Sequence, residues 1–88
     1  MQPRSTKKIM NQKAALVLSR VFGLKEVDIH PDLTKADVGS WDSLKQMDLV
    51  ASLEKEYGIT LGIPEIIRMQ SVRAILEVLK EQGVDLES

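Results

Sequence analysis

Residues 41–59 read Trp41-Asp42-Ser43-Leu44-Lys45-Gln46-Met47-Asp48-Leu49-Val50-Ala51-Ser52-Leu53-Glu54-Lys55-Glu56-Tyr57-Gly58-Ile59. At helical spacing, Leu49, Val50, Leu53 and Tyr57 share a face wide enough to meet a core. Leu44, Met47 and Ala51 fall on a second face, together with Asp48 and Lys55. A surface helix of a small domain needs one apolar stripe, so the second suggests a contact surface. Ahead of the helix, Ser43 is followed three residues later by Gln46. That is a capping-box pattern, in which the hydroxyl satisfies a backbone N–H of the first turn. Taken alone, it makes Ser43 a cap and nothing else.

Composition narrows the setting. The 88 residues suffice for one small domain spanning 1–88, with mobile tails expected at 1–6 and 84–88. Hydrophobic residues make up 43% but aromatics only 3%, so aliphatic side chains must build the core. There is no cysteine and a single histidine, which excludes disulfides, a thiolate metal site and a histidine cluster. A net charge of −1 gives no general attraction to nucleic acid. No apolar run is long enough to cross a membrane, and the N-terminus does not read as a signal peptide. A monomer in a reducing cytoplasm is the expectation.

Along the chain, Pro3 breaks any early helix, and Ser5 or Thr6 caps a first helix over about 7–22. Met10, Ala14, Val17 and Val21 share its core face with Leu18 beside them, while Asn11, Gln12, Ser19 and Arg20 point elsewhere. Gly23 ends it. Residues 24–41 form a long connection in which Pro31 and Gly39 argue against a regular helix. Leu24, Val27, Ile29, Leu33, Val38 and Trp41 are the residues to pin it down, and 34–37 suit one short helical turn. Trp41 reads as an anchor at the loop's end, with shaping of the approach to Ser43 as its other reading. His30 reads as a solvated loop histidine, although a dyad with Ser43 is conceivable chemistry. After Gly58, residues 59–63 have no partner strand and read as a connector. Pro64 opens a short third helix to about Met69. Ser71 caps a fourth with Val72, Ile75, Leu76 and Leu79 inward, ended by Gly83. The fold class is therefore all-α: four helices, a long first loop and a short third helix.

The stretch Trp41-Asp42-Ser43-Leu44, with Leu49, Leu53-Glu54 and Tyr57-Gly58-Ile59 behind it, resembles the acyl carrier protein family. The resemblance runs from about Val17 to Leu79, and it implies the same four-helix fold. It also implies that Ser43 carries a phosphopantetheine arm through a phosphodiester, placed there by a phosphopantetheinyl transferase. Asp42 then helps the transferase orient its substrate. Leu44, Lys45, Met47, Asp48, Ala51 and Lys55 then face acyl-loading, acyl-transfer or condensing enzymes. A phosphate on Ser43 suits the physics, since a helix start offers unpaired N–H groups and the positive end of the dipole.

The charge departs from the strongly acidic surface of fatty-acid carriers. Lys45 follows Ser43-Leu44 directly, Lys55 interrupts the acids, and Arg68 and Arg73 lie further on. The expectation is a dedicated carrier for an acyl or aminoacyl load in a polyketide, peptide-type, or lipid or glycan pathway. A helical interaction module, with Ser43 only a cap, and a serine hydrolase are the readings from other classes.

Overall fold

The computed structural model describes residues 11–86. Four helices follow in order: α1 (Gln12–Phe22), α2 (Ser43–Tyr57), α3 (Ile63–Arg68) and α4 (Val72–Glu81). A single 3-10 turn, Glu26–Asp28, interrupts the connection between α1 and α2. Among the described residues there is no strand, only one isolated bridge between Thr34 and Ser71. None of these helices is long and apolar enough to cross a membrane.

The start of α1 differs from the expectation. Asn11 is extended, at φ −60° and ψ 134°, and its side chain accepts from the N–H groups of Lys13 (2.9 Å) and Ala14 (3.2 Å). A cap of that kind starts the helix at Gln12, five residues after the expected start. Asn11 is therefore buried rather than pointing away. The caps proposed at Ser5 and Thr6, and Met10, lie outside the described residues. α1 and α2 both close on glycines in the left-handed region, Gly23 at φ 69° and Gly58 at φ 64°.

The core is aliphatic, as expected. Leu18, Leu49, Leu53, Met69, Val72, Ile75, Val78 and Leu79 are fully buried. Val78 joins the inner stripe of α4, and Leu76 is only half-buried. Val84 and Leu86 pack against this cluster, so part of the segment expected as a mobile tail rests on the core.

The long connection is held by buried side chains and by backbone bonds to the head of α4. Ile29, Leu33, Val38 and Trp41 are buried, and Leu24 packs against them. Val27 is the exception at 85% exposure, because the 3-10 turn points it outward. Leu33 carbonyl accepts from Val72 N–H (2.8 Å), and Pro31 carbonyl from Arg73 N–H (3.0 Å). These bonds satisfy two N–H groups at the head of α4 that no helical turn reaches. The Ser71 hydroxyl caps a third, that of Ala74. Residues 34–37 form the expected turn, closed by Asp37, whose carboxylate accepts from Thr34 N–H and Oγ1–H.

Candidate functional site

The head of α2 is built around Asp42. Its backbone is extended, and its carboxylate accepts from Lys45 N–H at 2.9 Å. Asp42 is thus the cap, and Ser43 is the first residue inside the helix. The capping-box reading of Ser43 with Gln46 is wrong by one position: an aspartate one residue earlier competes for the same N–H groups and wins. The first intrahelical bond runs from Gln46 N–H to Asp42 carbonyl (2.8 Å), so the N–H groups of Ser43 and Leu44 lie ahead of the ladder. Ser43 is exposed, and no described residue hydrogen-bonds to its hydroxyl.

Beside it lies an open groove of about 640 Å³ lined by Ser40, Asp42, Leu44, Lys45, Met47 and Asp48. The helix presents its two faces as the wheel indicates. Leu49, Val50 and Leu53 are inside and Tyr57 is half-buried, while Leu44 is 81% and Met47 55% exposed. Asp48, Ala51 and Lys55 are exposed and Lys45 is half-buried. Glu54 does not belong to the free charges of this helix, because its carboxylate accepts from Leu61 N–H (2.9 Å) and holds the connector to α3.

Two features escaped the sequence. Gln46 is buried, and its carboxamide joins three elements. Its oxygen accepts from Trp41 Nε1–H (2.5 Å), and its nitrogen donates to the carbonyls of Ile66 (2.9 Å) and Met69 (3.1 Å). The helix wheel places Gln46 without revealing partners twenty or more positions away. The second feature is on α3, where Ile63 (68%) and Ile67 (64%) are exposed. Their spacing puts them on one face of α3. Trp41 is the anchor expected, buried with its ring 4.5 Å from that of Phe22 and tilted by 36°.

Titration is perturbed away from Ser43. Burial pushes the Tyr57 hydroxyl above its usual value, with the Glu56 carboxylate adding to the shift. Its oxygen is buried with no partner among the described residues. The bidentate pair of Arg68 and Glu81 joins α3 to α4. The hydrogen bond from Arg68 lowers the Glu81 carboxyl, and the same bond raises the guanidinium.

No hydrogen bond joins His30 to Ser43 among the described residues, and His30 is exposed, so the dyad does not form. No group of three or more metal-ligating side chains occurs among them either. What remains is an exposed, unengaged hydroxyl at the positive end of a fifteen-residue helix. Those properties fit a covalently held phosphate ester.

Residues 13–79 match the family described as "Phosphopantetheine attachment site". The chain belongs to this family of carrier proteins, and phosphopantetheine is its covalent prosthetic group. It is 36% identical over 67 residues to "Acyl carrier protein 2" of Pseudomonas aeruginosa, an alignment covering 75% of this chain and 82% of that protein. Proteins of this kind carry; they do not catalyse.

Proposed function

We propose that Ser43 is the attachment serine, and that this carrier serves a dedicated biosynthetic pathway. The arm's terminal thiol holds an acyl or aminoacyl group as a thioester, and the flexible arm presents it to partner enzymes at high local concentration. One observation carries the assignment: Asp42 does the capping, which leaves the Ser43 hydroxyl exposed and uncommitted. Bound at Ser43, the arm supplies the thiol chemistry that the chain itself lacks, since it contains no cysteine.

The outer face of α2 is the partner-facing surface in this reading. Leu44 and Met47 supply the apolar contact, and Asp42, Lys45, Asp48, Ala51 and Lys55 surround it. The transferase is one partner, and acyl-loading and acyl-transfer or condensing enzymes are the others. Lys45 and Lys55 weaken attraction to a basic patch and favour a partner with an acid opposite them, which supports a dedicated system over a housekeeping one.

The direct experiment is intact-mass measurement after incubation with coenzyme A and a broad-specificity phosphopantetheinyl transferase. The wild type is expected to gain one phosphopantetheine and Ser43→Ala none. An unmodified wild type, or an alanine variant that gains the adduct, rules out the assignment.

A further inference from the structure

Asn11 and Gln46 are the buried polar side chains of the described chain. Asn11 caps its own helix. Gln46 instead spends its whole carboxamide on other elements: both N–H bonds go to the end of α3, and its oxygen takes the indole N–H of Trp41. We propose that Gln46 is a positioning residue, which fixes α3 against the head of α2 so that the transferase meets Leu44, Met47, Ile63 and Ile67 as one surface. The proposal rests on the reading of α2's outer face as partner-facing.

α3 has only six residues, too few to hold a helix without tertiary support. Buried Leu61 and Met69 flank it as apolar pins, with Ile66 half-buried between them. Apolar contacts of this kind are non-directional, so the orientation of the last turn is left to polar ties. The remaining side-chain ties are weak, local, or reach only the entry to α3, where Glu54 holds Leu61 N–H. Glu65 accepts from Gly62 N–H within the helix's own first turn, and the Arg68–Glu81 pair is exposed and screened by solvent. The bonds from Gln46 nitrogen are of another kind. They end on two backbone carbonyls of α3's last turn, and the Met69 bond is fully buried. Ile66 carbonyl also accepts from Met69 N–H (3.2 Å), so the Gln46 bond uses its second lone pair. Removing the carboxamide leaves the Met69 carbonyl and the Trp41 indole N–H without partners, and strips the Ile66 carbonyl of one of its two bonds, in a site of low polarity. The relief open to them is for the last turn of α3 to move out toward water. Ile67 immediately follows the carbonyl that Gln46 grips, so that movement displaces an exposed apolar residue relative to Leu44 and Met47.

The test uses Gln46→Met, which keeps length and volume but has no amide. Amide hydrogen exchange over residues 65–69 is expected to accelerate about ten-fold or more, with α1 and α4 changing less. Emission from Trp41, the sole tryptophan, is expected to shift as its N–H loses its acceptor. With saturating coenzyme A, the transferase KM for the carrier is expected to rise about three-fold or more at unchanged kcat. Ile67→Ala supplies the coupling: its KM penalty in the wild type is expected to vanish in the Gln46→Met background. Equal acceleration of exchange in every helix, an unchanged KM, or an Ile67 penalty that persists in full would each overturn the proposal. Should Gln46→Met fail to fold, Gln46→Asn, one methylene too short to span the three partners, is judged by the same readings. A wild type that the transferase does not load sinks the Ser43 assignment instead, and the exchange pattern of α3 then decides whether Gln46 positions it.

Discussion

Asp42→Ala and Ser43→Ala exchange adjacent residues at the head of α2, yet they are expected to separate stability from loading. Asp42 accepts from Lys45 N–H at 2.9 Å, so its truncation removes the cap of the longest helix. Lost caps cost roughly 0.5–2 kcal/mol, and the missing carboxylate at a helix start falls within that range. For a domain of this size each kcal/mol lowers Tm by about 4–8 °C. Ser43 gives up no protein hydrogen bond, and alanine is the better helix former by a few tenths of a kcal/mol. Ser43→Ala is therefore expected to stay within about 0.5 kcal/mol of the wild type. Urea and thermal unfolding followed by far-UV circular dichroism measure both. Intact mass after transferase treatment is expected to show no loading of Ser43→Ala and slowed loading of Asp42→Ala. Destabilisation of Ser43→Ala as large as that of Asp42→Ala would refute the assignment of the cap to Asp42, and with it the argument that the Ser43 hydroxyl is uncommitted.

The faces of α2 can be checked in the same way: Leu53→Ala, at a fully buried position, is expected to cost about 2–5 kcal/mol. Leu44→Ala, at 81% exposure, should cost under about 0.5 kcal/mol while raising the KM of partner enzymes. Tyr57→Phe removes a buried hydroxyl that has no partner, so it is expected to be neutral or to stabilise by about 1 kcal/mol. The raised Tyr57 pKa has a definite sign: the unfolded tyrosine ionises first, so stability falls as pH rises past the ordinary value of 10.0, and Tyr57→Phe should remove that tyrosine's share of the slope. A Lys45→Glu, Lys55→Glu double variant carrying the arm should work better than the wild type with a fatty-acid condensing enzyme and worse with its own partner. Equal service to the fatty-acid enzyme by both would remove the charge argument for a dedicated pathway.

What could be read from sequence divides by the reach of the interaction. The apolar periods of α2 and α4, their caps at Gly58 and Ser71, and the aliphatic core are local patterns, and the chain states them openly. The position of Ser43 at the head of α2 was equally plain, although the cap was misassigned by a residue, because an aspartate and a serine in sequence both suit a cap. Where the outcome turned on distant partners the pattern was silent. Gln46 looked like half of a capping box until its contacts with Ile66 and Met69 appeared. Nothing in the spacing of Glu54 marked its carboxylate as the acceptor of Leu61 N–H. Val27 looked like an anchor, since hydrophobicity alone cannot tell which side of a 3-10 turn faces outward. The outer face of α2 was legible because a second stripe serves no core; the exposure of Ile63 and Ile67 on α3 was not, since six residues are too short for a periodic signal.

The seam between the long connection and α4 bears on the order in which the chain folds. Asp32 and Arg73, paired across it, are 41 positions apart. Closing a loop of that length costs about 3 kcal/mol beyond a constant, and the return comes only when both sides are already shaped. The helices can form from near neighbours, whereas the seam needs them in place first, which makes it a late event in folding and an early one in local opening. Because its central bonds run between main-chain groups of Pro31, Leu33, Val72 and Arg73, side-chain substitution in the connection does not delete them. The connection can therefore vary at its exposed positions, with Ile29, Leu33 and Val38 keeping their places in the core, while it still delivers Trp41 and Asp42 to the head of α2. The amide protons of Val72 and Arg73 would register each moment at which that delivery lapses.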